Sequence, residues 1–321
     1  MLGTLLIVGG ISAGGVWAVS RYAHLLGLVD RPNARSSHVH PTPRAGGLGL
    51  LLAWAVVVVL VAPPWPVALS CAALSLVGFW DDVANLSARL RLVLQLVLAS
   101  AVVLFLPAPS GFLGLLLAPL AVLYIVGTAN FFNFMDGING MAGIMGVVSL
   151  GLVAWMTWPA QGATSEVALL MSVACLAFLP FNLPRARVFM GDVGSLLIGF
   201  LFGTLVVSSA SDLPSFLCLA SFQVLFYADT LSTLLIRWRD GERLSQAHRR
   251  HLYQLLANEQ RMPHVRVSLL YGSLQAFVGG LMILAWHMGL VWQLLLTVAV
   301  CSVFLVFMVR IRRMAGQRGR L

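Results

Sequence analysis

An all-α bundle of membrane-spanning helices is the fold class this sequence predicts, and three observations carry the expectation. Of 321 residues, 60% are apolar and only 10% charged, and the mean hydropathy of +0.92 lies far from that of a soluble domain. The apolar residues gather in runs close to the ~20 residues that cross a bilayer as a helix. The arginines fall between these runs or at their edges and supply all of the net charge of +9, because the chain has no lysine. A nucleic-acid surface would gather such charges in one patch; here they are dispersed over short loops, which argues against nucleic acid as a partner.

Eleven runs qualify as spans, at 1–20, 46–63, 66–81, 90–107, 112–129, 138–158, 166–183, 193–210, 214–236, 266–286 and 290–309. The first has no preceding Lys or Arg, and Arg21 follows it, the reverse of a secretory signal, so it is expected to remain as a helix. The turns at 63–66, 107–111, 158–166, 208–214 and 287–289 then share one side. The segments 21–45, 82–89, 130–137, 184–192, 237–265 and the tail after Val309 share the other, and all twenty arginines fall in them or at their edges. Positive residues mark the cytoplasmic side, which puts the N-terminus outside and the C-terminus in the cytoplasm. Trp65 and Trp158, at the opposite ends, read as interfacial anchors. The longest polar stretch, 237–265, is too short for a core of its own, so residues 1–321 are expected to form a single integral membrane domain. Cys71, Cys175, Cys218 and Cys301 each sit inside an apolar run without metal-ligand spacing and read as packing residues.

The acidic residues are also unevenly placed. Asp81, Asp82, Asp136, Asp192 and Asp229 lie at or inside membrane boundaries near the cytoplasmic side, whereas the outer turns offer only Glu166 and Asp212. A charged carboxylate beside hydrocarbon costs several kcal/mol, roughly 2.5–3.5 on insertion scales, unless water, a cation or a function accounts for it. Carboxylates rimmed by arginine suit a divalent cation together with phosphates. A proton-coupled transporter would place such groups near the midplane instead.

Taken in order, the first cytoplasmic loop stiffens through prolines into Pro41-Thr-Pro-Arg44-Ala-Gly-Gly47, where a helix start can attract an anion and Arg44 is the nearest charge; the reading of Arg44 as a topology-setting charge stands beside it. His38 and His40 on the same loop read as surface residues. The neighbouring carboxylates Asp81 and Asp82 repel each other, which suits proton removal or a metal. Arg89 and Arg91 open the next span at headgroup level, where a lipid phosphate would lie. The stretch Asn130-Phe-Phe-Asn133-Phe-Met-Asp136-Gly-Ile-Asn139-Gly140 places amides, a carboxylate and two glycines between two spans. In Asn182-Leu-Pro-Arg-Ala-Arg-Val-Phe189-Met-Gly191-Asp192-Val-Gly194-Ser195 a helix ends before the proline, and Asp192 would cap or line the next helix start. Asp229 should point into the bundle from the ninth run. In the last large loop, His248 and His251 would share a helical face; that spacing permits zinc, but no third ligand follows, and contact with phosphate or sugar is the preferred role, with Arg249 and Arg250 alongside.

With these motifs together, the chain resembles, nearly end to end, the polyprenyl-phosphate N-acetylhexosamine-1-phosphate transferases (glycosyl transferase family 4). The spacing of His248 and His251 is similar to that of the O-antigen-initiating subgroup; peptidoglycan-type members carry consecutive histidines. The resemblance implies transfer of a sugar 1-phosphate from a UDP-N-acetylhexosamine to undecaprenyl phosphate, with release of UMP and a need for Mg2+ or Mn2+. It assigns Asp81 and Asp82 to the lipid phosphate, Asp192 to the metal, and Asn182, Asp136 and Phe189 to the nucleotide. The expected catalytic set is Asp81, Asp82, Asp136, His248 and His251. The substrate-binding set is Arg44, Arg89, Arg91, Asn130, Asn133, Asn139, Asn182, Phe189, Arg249 and Arg250, and the metal ligands are Asp192 and Asp136. One departure stands out: the family usually has a second Asp where this chain has Asn139, which is therefore expected to contact nucleotide or substrate and not metal. The expected setting is the bacterial inner membrane as a multi-pass protein in the lipid bilayer, with a homodimer left open. A nucleotide-sugar or lipid-phosphate transporter with the same carboxylate-lined cleft is the alternative.

Overall fold

A computed structural model describes residues 1–32, 40–105, 112–158, 160, 162–243 and 248–318. His38 and the expected turn at 107–111 lie outside these residues. The chain is a multi-pass bundle of helices: α1 (Leu2–Tyr22), α2 (Leu48–Val61), α3 (Trp65–Ala84), α4 (Ala88–Phe105), α5 (Phe112–Phe134), α6 (Met141–Thr157), α7 (Gly162–Asn182), α8 (Asp192–Ser209), α9 (Leu213–Ala220), α10 (Val224–Arg239), a short α11 (Leu252–Gln254), α12 (His264–Met288) and α13 (Leu290–Arg318). The one sheet among the described residues is a two-residue hairpin, β1 (Val29–Asp30) against β2 (Thr42–Pro43), antiparallel.

Nine stretches among the described residues are long and apolar enough to cross a membrane, and α2 and α6 are shorter apolar helices. Each expected span thus has a helix. The ninth, 214–236, differs in detail: α9 and α10 are joined by a 3-10 turn at Ser221–Gln223, and together they make one stretch, Leu213–Arg239. Its α9 starts on a reciprocal cap. The Asp212 side chain accepts from the Ser215 amide at 2.8 Å, and the Ser215 hydroxyl takes the Asp212 amide at 3.1 Å.

The bundle is built around α8, which is buried from Val193 to Val206, while α13 turns most of its side chains outward. Such burial is legible in composition: Gly194, Gly199 and Gly203 let α2 and α5 approach closely, as small residues do where apolar packing must act without help from water. A Cβ at Gly47 would collide with the backbone of Gly194, and one at Gly78 of α3 would collide with the peptide of Asp192. These two contacts fix the start of α8 against α2 and α3. The hydroxyl of Ser75 adds to the second by donating to the Val193 carbonyl at 2.7 Å.

Candidate active site

The expected carboxylates converge at one end of the bundle, where α3, α5, α7 and α8 meet. The chain leaves α5 at Phe134, turns through Asp136 to Gly140, and enters α6; Gly140 takes φ 83°, open to glycine without strain. Asn182, at the end of α7, holds this turn. Its side-chain oxygen accepts the Gly140 amide, and its nitrogen donates to the Val188 carbonyl at 2.9 Å. The segment after it is held by the proline-rich loop: the Phe189 amide donates to the Pro43 carbonyl, and the Gly46 and Gly47 amides donate to the carbonyls of Phe189 and Met190, each bond 2.8 Å. The Pro41 to Gly47 motif is therefore a clamp on the segment leading to Asp192, and it presents Arg44 at the same place.

A cavity of about 300 Å³ opens there, lined by Arg44, Asn133, Asp136, Asn139, Asn182, Phe189 and Asp192, together with Asp30, Gly137, Ile138, Gly191, Gln254 and His264. Seven of the expected site residues thus share one wall. Asn133 donates to Asp192 Oδ1 at 2.8 Å and to Ser195 Oγ at 2.9 Å. Asn139 Nδ2 donates to the Pro184 carbonyl at 3.3 Å. Burial, followed by the charges of Asp192 and Asp82, pushes the Asp136 carboxyl well above the usual carboxylate range. The Nε of Arg44 is buried without a hydrogen-bond partner.

Other expected residues stand outside the cavity wall. Asp82 is 7% exposed and accepts the amides of Asp192 and Val193, each at 3.2 Å, so it caps α8 from α3. The capping role that the sequence offers to Asp192 is taken by a residue on another helix. Gly191 makes room for it, at φ 74°, since a Cβ there would stand 2.6 Å from Asp82 Oδ2. Arg91 pairs with Asp81 and, at 3.0 Å, with Asp192, so it ties the carboxylate pair to the cavity rim. Asp81 also accepts the Leu86 amide at 2.6 Å. Arg89 is exposed. Asn130 exchanges hydrogen bonds with Gln95, the shorter at 2.6 Å, and links α5 to α4.

The histidine loop packs on the bundle beside the cavity. His251 is 2% exposed, and its Nδ1 lies 3.3 Å from Asp229 Oδ1. His248 is half-buried with its ring centroid 4.9 Å from that of His251, and burial, then the charges of His251 and Arg237, push its pKa from 6.5 down to about 4. Arg249 is half-buried on the same loop, and Arg250 pairs with Asp240 at 2.6 Å and with Glu242. Sequence reasoning missed Asp30, Gln254 and His264 on the cavity wall. His264 follows Pro263 at the head of α12, and a histidine at the edge of an apolar run was the signal for it; Asp30 and Gln254 carried none beyond their place in cytoplasmic loops.

A cation suits these residues. Among the described residues no three His, Cys, Asp or Glu side chains stand together as a metal cage. Asp136 and Asp192 nevertheless face one cavity, where burial and the charges of Asp192 and Asp82 both act against a charged Asp136, an opposition that a cation would offset. Two hard oxygen donors of this kind, completed by phosphates and water, match how magnesium is usually held.

Fold and site together define a multi-pass membrane protein with a polar, carboxylate-lined pocket at one end of its helices. Residues 64–210 match the model of glycosyl transferase family 4. The chain is 34% identical over 232 residues to the phospho-N-acetylmuramoyl-pentapeptide-transferase of Heliobacterium modesticaldum, covering 60% of this chain and 68% of that one. It is 26% identical over 315 residues to the protein of the same name from Chloroflexus aurantiacus, covering 83% and 84%. It is 29% identical over 187 residues to the undecaprenyl-phosphate alpha-N-acetylglucosaminyl 1-phosphate transferase of Thermotoga maritima, covering 58% of each. The chain belongs to glycosyl transferase family 4.

Proposed function

We propose that this protein transfers a sugar 1-phosphate of the N-acetylhexosamine type from a UDP-sugar to undecaprenyl phosphate, releasing UMP. The observation that carries the reading is the meeting of Asp136, Asp192, Arg44 and four amide side chains in one cavity, in a chain whose relatives are named for polyprenyl-phosphate sugar transfer. The lipid phosphate attacks the sugar-bearing phosphorus of the donor, the new bond joins the two phosphates, and UMP leaves with the electrons of the broken bond. Positioning and charge neutralisation supply most of the acceleration in such transfers.

Each residue has a part in that scheme. Arg44 meets donor phosphate through a charge-assisted bond. Phe189 offers a ring face to the uracil, and Asn139 and Asn182 border the nucleotide. Arg91, held by Asp81 and Asp192, stands where the lipid phosphate would meet the donor. A magnesium or manganese ion would be held by Asp136 and Asp192, and when bound it supplies neutralisation of phosphate charge. The product, a lipid diphosphate sugar, would start O-antigen or another envelope polysaccharide in the bacterial inner membrane, with the N-terminus outside and the cavity facing the cytoplasm.

The test incubates purified protein with undecaprenyl phosphate, Mg2+ and a panel of donors that includes UDP-N-acetylglucosamine and UDP-N-acetylmuramoyl-pentapeptide, and measures UMP. Release with one donor supports the reading and identifies the sugar. Movement of an intact UDP-sugar across proteoliposomes without UMP release would favour a transporter instead.

A further inference from the structure

Asp229 is fully buried in α10, and its carboxylate gathers donors from the histidine loop and from α12. Its Oδ1 accepts the Leu252 amide at 2.8 Å and faces His251 Nδ1 at 3.3 Å; its Oδ2 accepts the Tyr271 hydroxyl at 2.7 Å and the Tyr253 amide at 3.2 Å. Two of these donors are the first amides of the helical turn that begins at Leu252, so a carboxylate from a membrane helix caps a turn of the histidine loop. The Thr233 hydroxyl lies 3.4 Å from Oδ1 and completes the set. A buried carboxylate is tolerated when donors surround it in this way.

What Asp229 fixes is Tyr253. Its ring is fully buried and stacks on His251, with centroids 5.6 Å apart and planes at 22°. Its hydroxyl donates to the Phe134 carbonyl at 3.0 Å, across 119 positions of sequence. The same hydroxyl rests on Gly137, where any Cβ would collide with it. Burial, with the Asp229 and Asp136 charges, holds the phenol well above its ordinary pKa, so the hydroxyl stays a donor. Phe134 and Gly137 bracket Asp136, which lines the cavity.

We propose that Asp229 and Tyr253 form a strut that positions the Asp136 loop for the reaction, with Asp229 holding the histidine loop and Tyr253 bracing the backbone on both sides of Asp136. The role rests on the transfer reading given above, and it belongs to positioning residues: neither side chain lines the cavity. It also gives His251 a place in the apparatus without substrate contact, since its ring is one layer of the strut. Gln254, one residue beyond Tyr253, does line the cavity, so the same brace sets a second part of the wall.

The test uses the full-length protein in detergent, with UDP-N-acetylglucosamine or whichever donor supports turnover, undecaprenyl phosphate and Mg2+. Tyr253→Phe removes one hydroxyl and keeps the ring. It should lower kcat about three- to tenfold, as loss of one positioning hydrogen bond does, with the KM for the lipid unchanged and the melting temperature within a degree or two of wild type. Amide exchange in residues 135–141 should quicken severalfold while exchange in α8 stays as it was. Gly137→Ala should be more damaging alone than in the Tyr253→Phe background, where the oxygen that meets the new Cβ is gone. Asp229→Asn should slow turnover and loosen both 135–141 and 251–256. Wild-type kcat and wild-type exchange in Tyr253→Phe would overturn the strut, as would fully multiplicative effects of the Gly137 and Tyr253 changes. A wild-type protein that releases UMP from no donor, with the exchange response intact, would overturn the transfer reading and the positioning role with it.

Discussion

Asp82 on α3 caps the first turn of α8, with Oδ1 taking the Asp192 amide and Oδ2 the Val193 amide, each at 3.2 Å. Its neighbour Asp81 points to Arg91 and the Leu86 amide. Two adjacent carboxylates of one motif therefore have different work. One sets the position of a helix whose first residue lines the cavity, and the other holds the arginine at its rim.

The first prediction separates them. Asp82→Asn replaces one oxygen acceptor by an amide NH2 donor facing a buried N–H, at a cost of about 1–3 kcal/mol, so it should lower both the melting temperature and turnover. Asp81→Asn weakens the hold on Arg91 in a partly exposed position, and it should lower turnover by orders of magnitude with little change in melting temperature. Thermal unfolding in detergent and UMP release, measured side by side, check both. An Asp82→Asn protein that melts as wild type would remove the cap from the account.

A second prediction concerns Asp136, a carboxyl raised by burial and by the charges of Asp192 and Asp82. The folded protein binds this proton more tightly than the unfolded chain, so ionisation above the ordinary carboxylate range costs stability as pH rises. Asp136→Asn should therefore raise the melting temperature at pH 7 in chelator, while abolishing turnover. Millimolar Mg2+ should stabilise wild type and do so less for the variant. Equal melting curves in chelator would tell against the uncompensated charge.

His248 supplies a pH dependence of opposite sense. Its pKa falls from 6.5 to about 4 in the folded protein, so the unfolded chain binds more protons across that window. Its contribution to stability is complete above pH ~6.5, declines as pH falls, and is gone below pH ~4. His248→Gln should lose less stability on acidification from pH 7 to 5 than wild type does. A neutral His248 also cannot serve as a cation for phosphate at neutral pH, so the pH–rate profile between 6 and 8 should keep its shape in the variant. Loss of a basic limb centred near 6.5, a rate that falls as pH rises through that value in wild type and no longer does so in the variant, would show that the ring works in its charged form.

Much of this was legible in the sequence because the bilayer restricts the choices. Runs of ~20 apolar residues must be helices, and carboxylates crowded at one end must face something polar. The spans and the cavity residues Arg44, Asn133, Asp136, Asn182, Phe189 and Asp192 follow from that logic and from the motifs. What the sequence left hidden are partnerships over long separation. The cap by Asp82 spans 110 positions and the bond from Tyr253 to Phe134 spans 119, and no local pattern encodes either. Asn130 shows the converse: its motif suggested substrate, whereas its side chain pairs with Gln95 and the carbonyl of Val126 to satisfy polar groups between apolar helices. Arg250 likewise looked available in a basic loop and is held by Asp240 and Glu242.

The last prediction turns on Asn139, which stands in the cavity wall where the family's pattern has an Asp. Its Nδ2 donates to the Pro184 carbonyl at 3.3 Å, its own carbonyl accepts the Ser268 hydroxyl at 2.8 Å, and its amide lies 3.4 Å from His264 Nδ1. The residue is thus built into the joint between the Asp136 loop, the end of α7 and the head of α12. An aspartate there would lose the donor and set a negative oxygen against the Pro184 carbonyl, displacing the wall beside Asn182 and Phe189. Asn139→Asp should therefore raise the KM for the UDP-sugar, by roughly three- to tenfold for one lost hydrogen bond, while the Mg2+ concentration for half-maximal rate barely changes. Asp192→Asn should do the reverse, because it removes one of the two carboxylates proposed to hold the ion and the partner of both Arg91 and Asn133; its Mg2+ requirement should rise tenfold or more, or activity should vanish. Rates measured against donor and against Mg2+ for both variants decide the matter. If Asn139→Asp shifts the Mg2+ requirement tenfold and Asp192→Asn leaves it alone, the ion is held from the α6 side of the cavity and not by α8.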